Sequence, residues 1–95
     1  MDSLFSMLYG IANNNYESAD KVGRSKINGY TIDTCDTRDC GYETAIWYKD
    51  NEMVIVERYP DKEEATEGHE KWCDFCKGNP KSVWSVQFDC EIDLR

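Results

Sequence analysis

The chain has 95 residues, with 19 acidic against 11 basic side chains and a formal net charge of −8. That length holds one domain, 1–95, which buries only about 60–65% of the surface its unfolded chain exposes, so a deep catalytic cleft with a lid is excluded. The acidic balance excludes non-specific binding to DNA or RNA, whose phosphates require Lys and Arg, and favours a partner that is itself basic.

Ser3 to Ala12 predicts a short amphipathic helix, because Leu4, Phe5, Leu8, Ile11 and Ala12 recur at helical spacing behind the capping residues Asp2 and Ser3. Asn13-Asn14-Asn15 ends it. The apolar run Leu4 to Ala12 is interrupted by Ser6 and Gly10. It falls far short of the roughly 20 residues of a membrane span. It also lacks the basic n-region and the cleavage site of a secretory signal. The expectation is therefore a soluble protein with no membrane partner, placed in the cytoplasm. From Asn13 to Gly29 the chain is polar, with a short extended piece over Asp20–Arg24.

Tyr30 to Cys35 predicts a strand, since Tyr30, Ile32 and Thr34 alternate with Thr31, Asp33 and Cys35. A polar turn over Asp36–Gly41 follows. Tyr42 to Lys49 and Met53 to Tyr59 then form an antiparallel hairpin around Asp50-Asn51. Pro60 stops the last strand because it cannot donate to a ladder. Asp61 caps a helix running to Cys76, with Glu64 at the capping-box position. At 100° per residue Glu63, Glu67, Glu70 and Asp74 share one face, while Ala65, Gly68, Trp72, Phe75 and Cys76 share the opposite one. Gly78-Asn79-Pro80 terminates the helix. Ser82 to Phe88 alternates Val83, Ser85 and Gln87 against Trp84, Val86 and Phe88, a further strand. Most of Trp47, Tyr48, Trp72, Trp84 and Phe88 are expected in the core, with one of Trp47 and Tyr48 exposed as a partner-binding anchor. The fold class is α+β: a small antiparallel sheet of three to five strands, one long amphipathic helix packed on a face, and the short N-terminal helix packing at an edge or mediating a homodimer.

Seven of the eight excess negative charges lie between Thr31 and Lys71. A charge run is first of all a solvated, solubilising face. If it has a partner, the residues that meet it are Asp36, Asp39, Glu63, Glu67, Glu70 and Asp74. The five cysteines offer a second chemistry. Cys35 and Cys40 are spaced C-x4-C, Cys73 and Cys76 C-x2-C, and together they make four thiolate ligands for a structural zinc. Buried reduced thiols are the leading alternative, because Cys73 and Cys76 fall inside the helix, where a zinc knuckle does not form. An odd cysteine count makes a poor disulfide scaffold. His69, four residues before Cys73, would share a helix edge with that thiol, but no orienting group or oxyanion hole accompanies it. A structural histidine hydrogen-bonded to a strand is the expectation. There is no phosphate-cradling Gly loop, no nucleophile elbow, no H-E-x-x-H and no basic patch with interleaved aromatics, so neither an enzyme nor a direct nucleic-acid reader is expected.

Several segments carry a resemblance. They are Tyr42-Glu43-Thr44-Ala45-Ile46, Met53-Val54-Ile55-Val56-Glu57 with Tyr59, Glu63-Glu64-Ala65 and Gly68-His69-Glu70-Lys71-Trp72. Lys21-Val22, Ile32-Asp33-Thr34, and Leu4-Phe5 with Leu8-Tyr9-Gly10 add to them. Together they resemble small uncharacterised accessory proteins encoded by phages and prophages of Gram-positive bacteria, over roughly two thirds of the chain. The cysteines lie outside that pattern. The resemblance implies a viral protein acting in the host cytoplasm, and no catalytic residue follows from it. The functional expectation is a non-enzymatic protein that binds and inhibits a host protein with a basic surface, such as a nucleic-acid-binding CRISPR or restriction component. It would use an acidic surface that mimics nucleic acid and need no cofactor. The alternative is a small zinc-stabilised adaptor using Cys35, Cys40, Cys73 and Cys76.

Overall fold

A computed structural model describes residues 20–37 and 41–95. The expected N-terminal helix, Asp39 and Cys40 lie outside the described residues. Four strands form an antiparallel meander in chain order: β1 (Asp20–Ile27), β2 (Tyr30–Asp36), β3 (Tyr42–Lys49) and β4 (Glu52–Tyr59). Helix α1 (Lys62–Lys77) packs against all four. A two-stranded hairpin, β5 (Ser82–Ser85) and β6 (Cys90–Asp93), completes the fold and abuts β4, where the Val86 amide donates to the Ile55 carbonyl at 3.0 Å. The architecture is α+β, and no helix among the described residues is long and apolar enough to cross a membrane.

The turns follow their residues. β1 runs three residues beyond its expected end and reverses through Asn28-Gly29, both at positive φ. That conformation is the one a two-residue hairpin of the right twist requires, and it is why Asn-Gly is favoured there. Asp50-Asn51 closes the β3–β4 hairpin as expected, with Asn51 at φ 63°. Helix α1 begins as the sequence dictates: the Asp61 carboxylate accepts from the Glu64 amide at 2.9 Å. Its C-terminal end is held from far away in the chain, for the Asn28 side-chain amide donates to the carbonyls of Cys76 and Lys77.

Each face of the sheet has its own core. On the helix side Tyr30, Ile32, Ile46, Val54 and Val56 meet Cys76, Val83 and Leu94. On the other side Cys35, Ala45, Met53 and Ile55 cluster with the half-buried Trp47. The continuous run Met53-Val54-Ile55-Val56 is thus explained: alternate members serve opposite cores. Each buried Ile or Val contributes about 1.5–3 kcal/mol relative to exposure. That outweighs the about 0.2–0.5 kcal/mol lost at each like-charged pair four residues apart on the helix surface.

Three expectations are corrected. The strand expected over Ser82–Phe88 stops at Ser85, and it turns Val83 and Ser85 inward. Trp84 and Phe88 therefore face solvent instead of joining the core. This backbone approaches the β4 edge, with the Val86 amide bonded to the Ile55 carbonyl, and the side of β5 turned to the core carries Val83 and Ser85. Trp47 and Tyr48 are both half-buried, so neither is the exposed aromatic. β6, with the single partly buried apolar residue Ile92, carries too weak a pattern to be read in advance.

Candidate functional site: an acidic helix face above a buried polar chain

Glu63, Glu67, Glu70 and Asp74 are all exposed along one side of α1. Ala65, Gly68, His69 and Cys76 are buried on the other. At 1.5 Å of rise per residue the four carboxylates follow one another about every 4.5–6 Å along the axis. Asp74 is paired with Lys77 at 3.2 Å; among the described residues Glu63, Glu67 and Glu70 form no ion pair. Asp36 is set apart from this row. It is half-buried at the end of β2, opposite Tyr42, and has interactions of its own. Tyr42 in turn pairs with Tyr59, so Asp36 shares the sheet end at which the helix starts.

Beside the acidic row lies an open cleft of about 200 Å³ lined by Glu57, Tyr59, Glu64, Glu67, Gly68 and Lys71. Two of these residues are where they are because of a β-bulge. The register slips between Thr44 and Ala45, whose partners are Glu57 and Ile55. The extra residue shifts the alternation of β4, so Glu57 and Tyr59 face the helix after Val54 and Val56 have already done so. Simple alternation would have placed Arg58 there; instead Arg58 lies on the other face and pairs with Glu43 at 3.0 Å. Glu57 accepts from the Trp72 indole at 2.8 Å and pairs with Lys71 at 2.6 Å. Burial alone would raise its pKa, but the hydrogen bonds from Lys71 and Trp72 prevail and lower it.

From this cleft a chain of polar side chains runs under the helix. Tyr59 lines the same cleft as Glu57. Its hydroxyl is 2.9 Å from Thr44 Oγ1, which is 2.6 Å from Thr34 Oγ1. Thr34 Oγ1 is 2.7 Å from His69 Nδ1, and His69 Nε2 is 3.0 Å from Ser25 Oγ. Each hydroxyl of the chain can donate or accept, and a neutral His69 divides one donor and one acceptor role between Thr34 and Ser25. Burial pushes the Tyr59 phenol up to about 12 and lowers the His69 pKa, the latter opposed in part by Asp33 and Glu70. Two glycines make the fit. A Cβ at Gly23 would fall 2.9 Å from the His69 ring, and a Cβ at Gly68 would overlap the Tyr59 hydroxyl.

The histidine is therefore a structural one hydrogen-bonded to strands. Both ring nitrogens are engaged, so it does not serve Cys73 as a base. The four-cysteine zinc site does not assemble either. Cys35 lies in the core on the face of the sheet opposite α1, whereas Cys73 and Cys76 are on α1 itself. Among the described residues no group of three His, Cys, Asp or Glu side chains is placed to hold a metal ion. Burial, reinforced by Asp33, pushes the Cys35 thiol up to about 12, and burial beside Cys73 pushes Cys76 up to about 11. Both are thiols, neither nucleophiles nor ready metal ligands.

The alternating residues of β2 and the helical period of α1 made the acidic face and the packed face legible. The polar chain was missed, because its members stand on five different elements and Glu57 and Tyr59 enter through a bulge. No family model matches the chain, and no curated protein or solved structure matches it. The likeness to phage-encoded proteins rests on the sequence segments alone.

Proposed function

We propose that the protein is a non-enzymatic binding module that sets the acidic face of α1 into a basic, nucleic-acid-binding surface of a host protein and blocks it. The observation that supports this is the exposed row Glu63, Glu67, Glu70 and Asp74, of which the first three form no ion pair among the described residues. Packing does not call for this row. It places like charges four residues apart at Glu63/Glu67 and at Glu70/Asp74, which weakens a helix. Its axial spacing is of the same order as the 3.4 Å per phosphate of one DNA strand, so a groove lined with Arg and Lys has counter-charges for it. The resemblance to phage accessory proteins suggests the setting, in which a CRISPR or restriction component supplies such a groove.

The test is capture on immobilised protein from lysate of a phage-infected Gram-positive host, washed at low and high salt and competed with duplex DNA. A salt-sensitive, DNA-competed, nucleic-acid-binding protein is expected, and the triple variant E63K/E67K/E70K is expected to lose it. Capture that persists unchanged with the triple variant overturns the acidic-face mechanism.

A further inference from the structure

We propose that the outer face of the β5–β6 hairpin is a second docking surface, for a partner segment carrying an Arg or Lys flanked by apolar side chains. The inference stands on residues separate from the acidic helix face. Trp84, Val86 and Phe88 are 54%, 38% and 52% exposed, and they are the large hydrophobic side chains left open to solvent among the described residues. They lie within five residues of one another, Trp84 on β5 and Val86 and Phe88 in the turn that leads from β5 to β6. A small domain with a modest core gains stability from burying aromatics, yet here the inward places go to Val83 and Ser85.

The chemistry of the occupant follows from what surrounds the cluster. Trp84 pairs in register with Glu91 on β6, which puts both side chains on the same side of the ribbon. Ser82 donates to the Glu91 carboxylate at 2.7 Å and holds it beside β5. Asp89 follows Phe88 and is exposed. The molecule shows elsewhere what such a pair accepts. Lys71 lies 5.2 Å from the centre of the Trp72 ring while paired with Glu57 at 2.6 Å: a cation on an indole face with a carboxylate as counter-ion. Trp84 and Glu91 repeat the indole and the carboxylate, and among the described residues no cation stacks on Trp84 or pairs with Glu91. Lys81 and Arg95 line the neighbouring cleft with Glu91 but form no ion pair with it. A second copy of this chain is a poor occupant, since each copy carries a net charge of −8 and the two hairpins would bring like carboxylates together. A cationic side chain from another protein, with apolar neighbours covering Val86 and Phe88, satisfies both halves of the surface.

The probe is a synthetic peptide with Leu-Arg-Phe at its centre between Gly-Ser spacers, titrated into the full chain at about 150 mM salt and followed by amide chemical shifts. Shifts confined to residues 82–91 are expected. Trp84→Ala and Phe88→Ala, both at exposed positions, should each weaken binding about tenfold or more. E63K/E67K/E70K should leave it unchanged, and a peptide with Glu in place of Arg should not bind. Shifts confined to α1, or affinity that survives both alanine variants, overturn the proposal. So does a wild-type dimer in sedimentation that Trp84→Ala dissolves, since the patch would then be covered by a second copy. Loss of peptide binding in the triple helix variant alone would instead speak for the acidic helix and against the hairpin.

Discussion

Burial disfavours the protonated form of His69, and this makes the stability of the fold depend on pH. In the unfolded chain an imidazole takes up a proton below about pH 6.5. In the folded protein burial lowers that pKa, with Asp33 and Glu70 opposing only in part. Between the two values the unfolded state binds more protons, so stability is complete above about pH 6.5 and falls as the pH drops toward the folded value. Urea denaturation between pH 7.5 and 5 should show that decline, and His69→Gln, though less stable, should show a shallower one. Equal slopes would remove His69 as the cause. Glu57 acts in a separate window. Its pKa is lowered in the folded state, so its contribution is present above the ordinary carboxyl value of 4.5 and is lost only as the pH falls below it.

At the scale of the element, α1 carries its charges at odds with its own stability. Glu70 stands three residues from Glu67 and four from Asp74, on an exposed face. Glu70→Lys turns two repulsions into two attractions and is expected to stabilise the protein by about 0.5 kcal/mol, read as a higher urea midpoint with an unchanged m-value. The same substitution is expected to weaken partner capture; a lower midpoint would show that Glu70 has a structural role. This helix was the most legible part of the chain, because Asp61, Glu64 and the helical period of Ala65, Gly68 and Cys76 all agree. The β3–β4 hairpin was legible through Asp50-Asn51, and the β1–β2 hairpin has a stronger turn dipeptide in Asn28-Gly29 that a scan for apolar alternation passes over. The bulge at Val56 and Glu57 was not legible, since an extra residue in one strand is defined by its partner strand. Trp84 and Phe88 misled for a different reason. Hydrophobicity states what burial would gain, and only the approach of β5 to β4 decides which side of the strand is buried.

Across the whole molecule, the two cores on opposite faces of the sheet divide the cysteines by accessibility. Cys90 is exposed, Cys73 half-buried, and Cys35 and Cys76 fully buried with raised pKa values. With a maleimide near pH 7.5, Cys90 should react first of these four, while Cys35 and Cys76 should be modified only at the rate at which the fold opens, as site-resolved mass spectrometry would show. Labelling of Cys35 as fast as Cys90 in native buffer would contradict the placement of the second core. The meander joins every strand to its neighbour in sequence, so each ladder closes a short loop at small entropic cost. Asn28 is different: its amide reaches across 48 residues to the last turn of α1. Tyr30 does the same at the next step, its hydroxyl donating to the Pro80 carbonyl at 2.9 Å. The first hairpin thus supplies the lock for the end of the only helix among the described residues, and the Cys76 and Lys77 carbonyls have the Asn28 amide as a donor only once β1 and β2 have paired.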